Sequence, residues 1–384
     1  MSTTNHQQFS YLSDAMLHHR LNVTQAGPGS TDDWSVYQNK YYWPQGPLPA
    51  IILMPFVALF SLFHLFFYQS YLQVVITMIN LVMLFKLARK LKYDGEDSAI
   101  WAFGFLLGSA YIGIIALSMS WFFAQAITVL LLLLALYEYV GQKRWWLIGL
   151  FCAGLALTRI SAAPIALFFI LESKSLYKDS KQWQKAWLQI ISPVVVAGLI
   201  LALYNYARFH SIFEQGYRYQ YLRDQLLATR RYGVYSIVHF PANIYYAFLA
   251  GPLPVFRDHV SEVLRMPFIK NNPWGMSIFF SSPYLLWLFN LRKSDFNHTT
   301  RNLLIAVAVS MVMIFGYYGI GYYQIGYRYA LDFLPLILLI LMIKYRERQK
   351  KLSSPMKFLL IGSGMFNFYL LLTFILNNSW AGLR

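Results

Sequence analysis

The chain has 384 residues, 58% of them hydrophobic and 12% charged, and its 32 Lys and Arg against 16 Asp and Glu give a formal charge of +16. A soluble domain carries roughly twice that charged fraction. The composition excludes a disordered chain and a disulfide-stapled secreted domain, and it argues against a soluble enzyme. The basic residues sit between apolar runs of spanning length, a pattern of positive cytoplasmic loops, not of a nucleic-acid-binding surface. The lone cysteine, Cys152, lies in an apolar run and allows no disulfide within the chain.

Residues 1–46 are polar and carry no secretory signal pattern. From there apolar runs follow in close succession. A crossing helix needs ~20 mostly apolar residues. Runs that meet this are 71–91, 98–118, 121–140, 187–207, 275–291, 302–321, 326–345 and 357–377. Two further stretches, 47–69 and 145–171, are less simple. The first opens on Gly46-Pro47-Leu48-Pro49, and the second is too long for one span and holds Arg159 and Pro164 near its middle.

Nineteen of the 32 Lys and Arg residues fall in five short loops, 86–97, 141–144, 172–186, 291–301 and 344–357. The positive-inside bias puts all five in the cytoplasm. It follows that 145–171 enters and returns as a hairpin of two short helices, with Arg159 near its outer tip. It also follows that 47–69 does not fully cross if residues 1–46 lie outside; a full span with 1–46 inside is the rival. The long stretch 208–274 then shares the outer face, and within it 216–232 reads as an amphipathic interfacial helix. The expected fold is an all-α polytopic bundle of about ten spanning or half-spanning segments, with interfacial helices in its outer loops. Its parts would be a first extracytoplasmic loop over 1–46 and a transmembrane bundle over 47–384 that includes the outer loop 208–274. An outer start calls for a spanning helix before residue 1.

Ionisable groups at membrane depth are costly and so are functional candidates. Arg159, at the tip of a broken hairpin, suits bidentate capture of a phosphate; the plain alternative is that it snorkels to the interface. Arg328 and Asp332 stand four apart, a spacing that puts them on one face of an α-helix, where they can pair. A structural ion pair and a site contact both fit. On the outer N-terminal stretch, His6, Asp14, Asp32 and Asp33 precede Tyr41-Tyr42-Trp43. Carboxylates beside aromatic rings suit a sugar, whose apolar face stacks on the rings while a carboxylate takes a hydroxyl proton. An interfacial aromatic belt beside solvated acids is the bland reading. The sequence has no phosphate-binding loop, dinucleotide fingerprint or zinc-protease motif.

Four stretches together give the chain a resemblance. They are Tyr11-Leu-Ser-Asp-Ala-Met-Leu-His-His-Arg-Leu21 with Asp33-Trp34 and Tyr41 to Pro49; Gly154-Leu-Ala-Leu-Thr-Arg159; Tyr204-Asn205 with Arg208 to Tyr217; and Gln324-Ile-Gly-Tyr-Arg-Tyr-Ala-Leu-Asp332-Phe-Leu-Pro335. In this order they resemble bacterial integral-membrane glycosyltransferases of the GT-C superfamily, related to the protein mannosyltransferases and aminoarabinose transferase. The resemblance implies a polyprenyl-phosphate-linked sugar donor in the inner membrane, and a lipid, glycan or protein acceptor on the outer face. It implies an acidic base early in the first outer loop. The family often shows Asp-Glu where this chain reads Asn5-His6, so the base falls to Asp33 first, then Asp14, with Asp32 and His6 behind. Arg159 and Arg328 would hold the donor phosphate, and Tyr41, Tyr42, Trp43, Tyr217 and Asp332 would contact substrate. No nucleotide is needed; a divalent cation is compatible with the reaction, but no ligand cluster demands one. A lipid-linked-saccharide flippase or transporter is the alternative, since it too wants buried Arg and a polar cavity.

Overall fold

The computed structural model describes residues 6–23, 33–222, 224–258 and 260–381. It is predominantly helical, with two short antiparallel hairpins. Helix α1 (Gln8–Leu17) leads to β1 (Ser35–Tyr37) and β2 (Lys40–Tyr42), whose two-residue turn Gln38-Asn39 has both φ angles positive, at 49° and 58°. That is the twist a tight hairpin needs. Helices α2 (Leu48–Ser61), α3 (Gln69–Lys90), α4 (Gly95–Leu107), α5 (Tyr111–Ala116), α6 (Ser120–Val140), α7 (Trp145–Thr158), α8 (Ala166–Leu176) and α9 (Ser180–Phe209) follow. The long segment after α9 holds α10 (Asp224–Arg230), α11 (Phe240–Phe248), β3 (Leu253–Phe256) and β4 (Leu264–Lys270). The chain closes with α12 (Ile278–Ser281), α13 (His298–Gly316), α14 (Leu334–Arg348) and α15 (Ser354–Ala381).

Among the described residues, five helices are long and apolar enough to cross a membrane: α3, α6, α9, α13 and α15. Each coincides with an apolar run read from the sequence. Their lipid side is bare of protein: Val74, Val75 and Met78 on α3, and Val195, Leu199 and Leu203 on α9, are exposed. Three other runs depart from a single span. The run 98–118 breaks at Gly108-Ser109-Ala110, and the buried Asn367 amide donates to the freed Leu107 carbonyl (3.1 Å) and to the Ser281 carbonyl (2.7 Å). The run 275–291 is not one α-helix: Pro283 lacks the amide a helix would use there, and the chain continues as a 3-10 helix over Pro283–Asn290. The run 326–345 opens as a 3-10 helix, Arg328–Asp332, before α14 begins.

The five basic loops meet at one end of the bundle. Lys90 lies 4.8 Å over the Tyr137 ring, Tyr93 donates to the Met342 carbonyl (2.8 Å), and Lys357 pairs with Asp97 (3.4 Å). Arg348 pairs with Asp295, and the buried Glu172 carboxylate accepts from Tyr139 (2.8 Å), Thr299 (2.6 Å) and Asn302 (2.8 Å). The stretch 145–171 does turn back. Trp145, where α7 starts, donates to the hydroxyl of Tyr177, just past the end of α8, at 3.0 Å, while Arg159 and a 3-10 turn over Ile160–Ile165 form the far tip. Residues 48–69 also return to the end they left. Ser13 on α1 donates to the Ala50 carbonyl near the start of α2, and the Gln69 amide at the start of α3 donates to Gln7 (2.9 Å). With 14 residues, α2 spans about 21 Å, short of the ~30 Å hydrocarbon core.

The helix expected over 216–232 is a correction. Gly216 adopts φ 108°, and only Asp224–Arg230 is α-helical. Residues 220–221 instead extend along the first loop: the Asp33 amide donates to the Tyr221 carbonyl (2.9 Å), and the Tyr221 amide to the Trp34 carbonyl (2.8 Å). A Cβ at residue 216 would stand 2.6 Å from the Ser35 hydroxyl oxygen, so this crossing of the two segments needs glycine.

Candidate functional site

At the end opposite the basic loops the bundle opens into a cavity of about 1040 Å³. Its wall draws on the N-terminal loop, the hairpin tip, the C-terminus of α9, the 217–226 segment and the irregular stretch 317–329. That last stretch is irregular for a local reason. Past the end of α13, Gly321 (φ 92°), Tyr323 (φ 57°) and Gly326 (φ 68°) all take left-handed backbone, which prevents a helix from re-forming there, and tyrosines of this stretch line the wall.

Asp33 lines the cavity from a left-handed turn (φ 70°), and the Gln220 amide donates both to its Oδ1 and to its carbonyl oxygen, each at 3.1 Å. Non-glycine residues adopt this conformation at a cost that surrounding structure must offset, and they concentrate at functional sites. The charge of Asp33 reaches Arg328 and Tyr318 across the cavity.

Arg159 lines the cavity from the hairpin tip and is gripped from behind. Its Nε and Nη2 donate to the two carboxylate oxygens of Asp332 at 2.8 and 2.9 Å, and Ser161 donates to Oδ2 at 2.5 Å. Asp332 is fully buried. The expected pairing of Asp332 with Arg328 is therefore corrected. The four-residue rule assumes an α-helix, whereas Arg328–Asp332 is a 3-10 helix, whose three-residue turn points the two side chains apart. Asp332 is absent from the cavity wall and acts on it through Arg159.

Arg328 is buried and lines the cavity, 4.8 Å over the Tyr329 ring and 5.1 Å over the Phe122 ring. Its Nε and Nη1 make no hydrogen bond within the protein. Buried donors are nearly always satisfied, so these two stand out on the cavity wall. Arg208, the third arginine on the wall, is buried but spoken for. It stacks 3.8 Å over Tyr204 and donates to the Trp43 carbonyl (2.7 Å) and to Asn205 (2.8 Å), tying α9 to the first loop.

The remaining sequence candidates divide. Trp43 lines the cavity, stacked on Trp121 with centroids 5.8 Å apart, and Tyr217 lines it too. Burial pushes the Tyr217 phenol above its ordinary range, so it stays a neutral donor at physiological pH. His6 lines the cavity 5.7 Å from the Trp121 ring. Tyr41 and Tyr42 do not line it: Tyr42 packs on Phe209 at 5.1 Å, and Tyr41 stays in the strand pair of the small hairpin. Asp14 sits half exposed on α1 beside His18, away from the cavity. Asp32 lies outside the described residues. Among the described residues no three His, Cys, Asp or Glu side chains gather as a metal would require.

Reading the sequence assigned no site role to Ser161, Gln220 or Arg208, although Arg208 opens part of one of the four stretches that carry the resemblance. Arg208 was within reach, because the cost of an ionisable group at the end of an apolar run singles it out as it does Arg159. Gln220 was hidden by reading its segment as a surface helix.

Gly46, also on the wall, sets a close approach. A Cβ there would lie 2.0 Å from the Leu157 carbonyl oxygen, two residues before Arg159. Gly46→Ala is expected to push the loop off the hairpin tip and cost ~1–3 kcal/mol, read as a lower midpoint in a thermal melt. A melt unchanged from the native chain would show that the loop gives way freely.

No protein-family model matches the chain, and neither does any curated protein sequence. Among solved structures the chain is similar to the oligosaccharyltransferase of Archaeoglobus fulgidus in its apo form, at 13% identity and a TM-score of 0.48. The match covers 98% of this chain and 52% of that one, so the chain spans about half the length of that protein.

Proposed function

We propose that the chain is a membrane glycosyltransferase that moves a sugar from a polyprenyl-phosphate-linked donor to a lipid, glycan or protein hydroxyl on the extracytoplasmic face of the inner membrane. One observation carries the reading. Residues distant in sequence, Asp33, Arg159 and Arg328, line one cavity at the end away from the basic loops, among aromatic rings. A carboxylate, unpaired guanidinium donors and aromatic faces are the groups this reaction needs.

In the inverting reaction, Asp33 takes the proton of the acceptor hydroxyl as its oxygen attacks the anomeric carbon. The bond from that carbon to the phosphate oxygen breaks, and polyprenyl phosphate leaves with the bonding pair. Arg328 offers its open Nε and Nη1 to the phosphate, and Arg159 adds charge held in place by Asp332. Trp43 and Tyr217 bound the sugar, the ring faces stacking on its apolar side.

The test is turnover in lipid nanodiscs, offering a panel of polyprenyl-phosphate sugars and quantifying free polyprenyl phosphate. Arg328→Ala is expected to raise the donor KM by ~10-fold or more, as befits loss of a charge-assisted contact. If no donor turns over, and labelled lipid-linked saccharide instead crosses proteoliposome bilayers, the chain is a flippase and this reading fails.

A further inference from the structure

The outer hairpin β3–β4 has no place in the reaction, yet it is built for a particular environment. The strands pair antiparallel between Leu253 and Lys270; β4 rests against α15, and most residues of both strands are exposed. Val260 is 97% exposed and Met266 70% exposed, with Phe256, Val263, Leu264 and Phe268 exposed beside them. A lone two-stranded hairpin is at best marginal in water, and such a run of bare apolar side chains is an aggregation hazard there.

Its position along α15 tells where it stands. Lys357, in the first turn of α15, pairs with Asp97 among the basic loops. From there α15 rises 1.5 Å per residue, so Tyr369 lies about 18 Å and Thr373 about 24 Å above it. Both fall inside a hydrocarbon core of ~30 Å, in its outer half. The hairpin docks at those two residues: Tyr369 donates to the Pro267 carbonyl, and the Asn271 amide donates to the Thr373 hydroxyl at 3.1 Å. Phe368 and Leu372, beside the docking residues on α15, are exposed apolar side chains as well. Arg257 and Arg265 are exposed on the same hairpin, and Asp258 and Glu262 flank its tip. Apolar bulk mixed with charge suits the headgroup boundary rather than the bilayer centre, and the unpaired strand edges likewise need some water.

We propose that the 253–270 hairpin is embedded in the outer leaflet. Its apolar side chains lie at the acyl boundary, and Arg257 and Arg265 lie at the phosphates of anionic phospholipids. Because β4 runs directly into Pro273 and Trp274 on the cavity wall, the leaflet and the cavity share a continuous piece of chain. The proposal rests on the orientation of the bundle and not on sugar transfer.

The test uses the full chain in nanodiscs of phosphatidylethanolamine and phosphatidylglycerol. Single cysteines replace Val260 and Met266 in a Cys152→Ser background and carry an environment-sensitive fluorophore; Lys350→Cys serves as the aqueous control. The expected result is blue-shifted emission at both hairpin sites, and quenching by doxyl-labelled lipid about two-fold or more above the control. Water-like emission quenched by iodide and not by doxyl lipid overturns the proposal. Protection that arises only with two copies in one disc overturns it as well, because the hairpin would then face a second copy of the chain.

Discussion

Asp332→Ala is expected to destabilise the folded chain by ~3–5 kcal/mol, the cost of leaving a largely buried guanidinium without its counter-charge. The side chain removed is fully buried and holds both donors of one edge of Arg159 as well as Ser161. Thermal melts in detergent or nanodiscs read the loss. Arg159→Met combined with Asp332→Ala should recover most of the stability, since replacing a buried ion pair with apolar groups is often neutral. The double variant should stay slow in donor turnover, because the positioned charge is gone. That split separates a positioning role from a purely architectural one. An Asp332→Ala chain that melts like the native one would mean that Arg159 finds water or another partner, and the clamp would lose its meaning.

The second large effect belongs to Asp33. Asp33→Asn keeps the shape of the side chain and its contact with Gln220 but cannot accept a proton; turnover should fall by ~10²–10⁴-fold. Donor KM should hold or drop, because removing the negative charge leaves Arg328 less engaged across the cavity. Asp14→Asn, on the half-exposed face of α1, should leave both constants near native values. A native rate from Asp33→Asn would remove Asp33 as the base, whatever the state of the other variants.

The long spans were legible because an uninterrupted apolar run of that length has few other uses. The return at 145–171 was legible for a different reason: basic loops on both sides of a segment fix the parity of crossings, whereas 47–69 has a basic loop on neither flank and its return hung on the side given to residues 1–46. The helix type within a run was not. The run at 275–291 is as apolar as its neighbours, and only Pro283, which cannot supply a helical amide, marks the change to a tighter helix. The same limit misdirected the partner of Asp332. A spacing rule for α-helices was applied to a 3-10 turn, while the true partner, Arg159, stands 173 residues away with no local trace. The outer segment 216–232 was misread because amphipathic composition says nothing about a strand-like crossing with another loop. Gly216 was the available sign.

The span of chain between Arg159 and Asp332 has a consequence for biosynthesis. A ribosome adding ~5–20 residues per second needs roughly 10–35 s to reach Asp332 after Arg159 has emerged. For that interval the nascent hairpin carries a guanidinium with no counter-ion. A tip that reaches the far surface can keep the charge wet until its partner arrives, whereas a tip that stopped at mid-bilayer would stall insertion. The hairpin's shape is thus suited to assembly order as well as to the finished site.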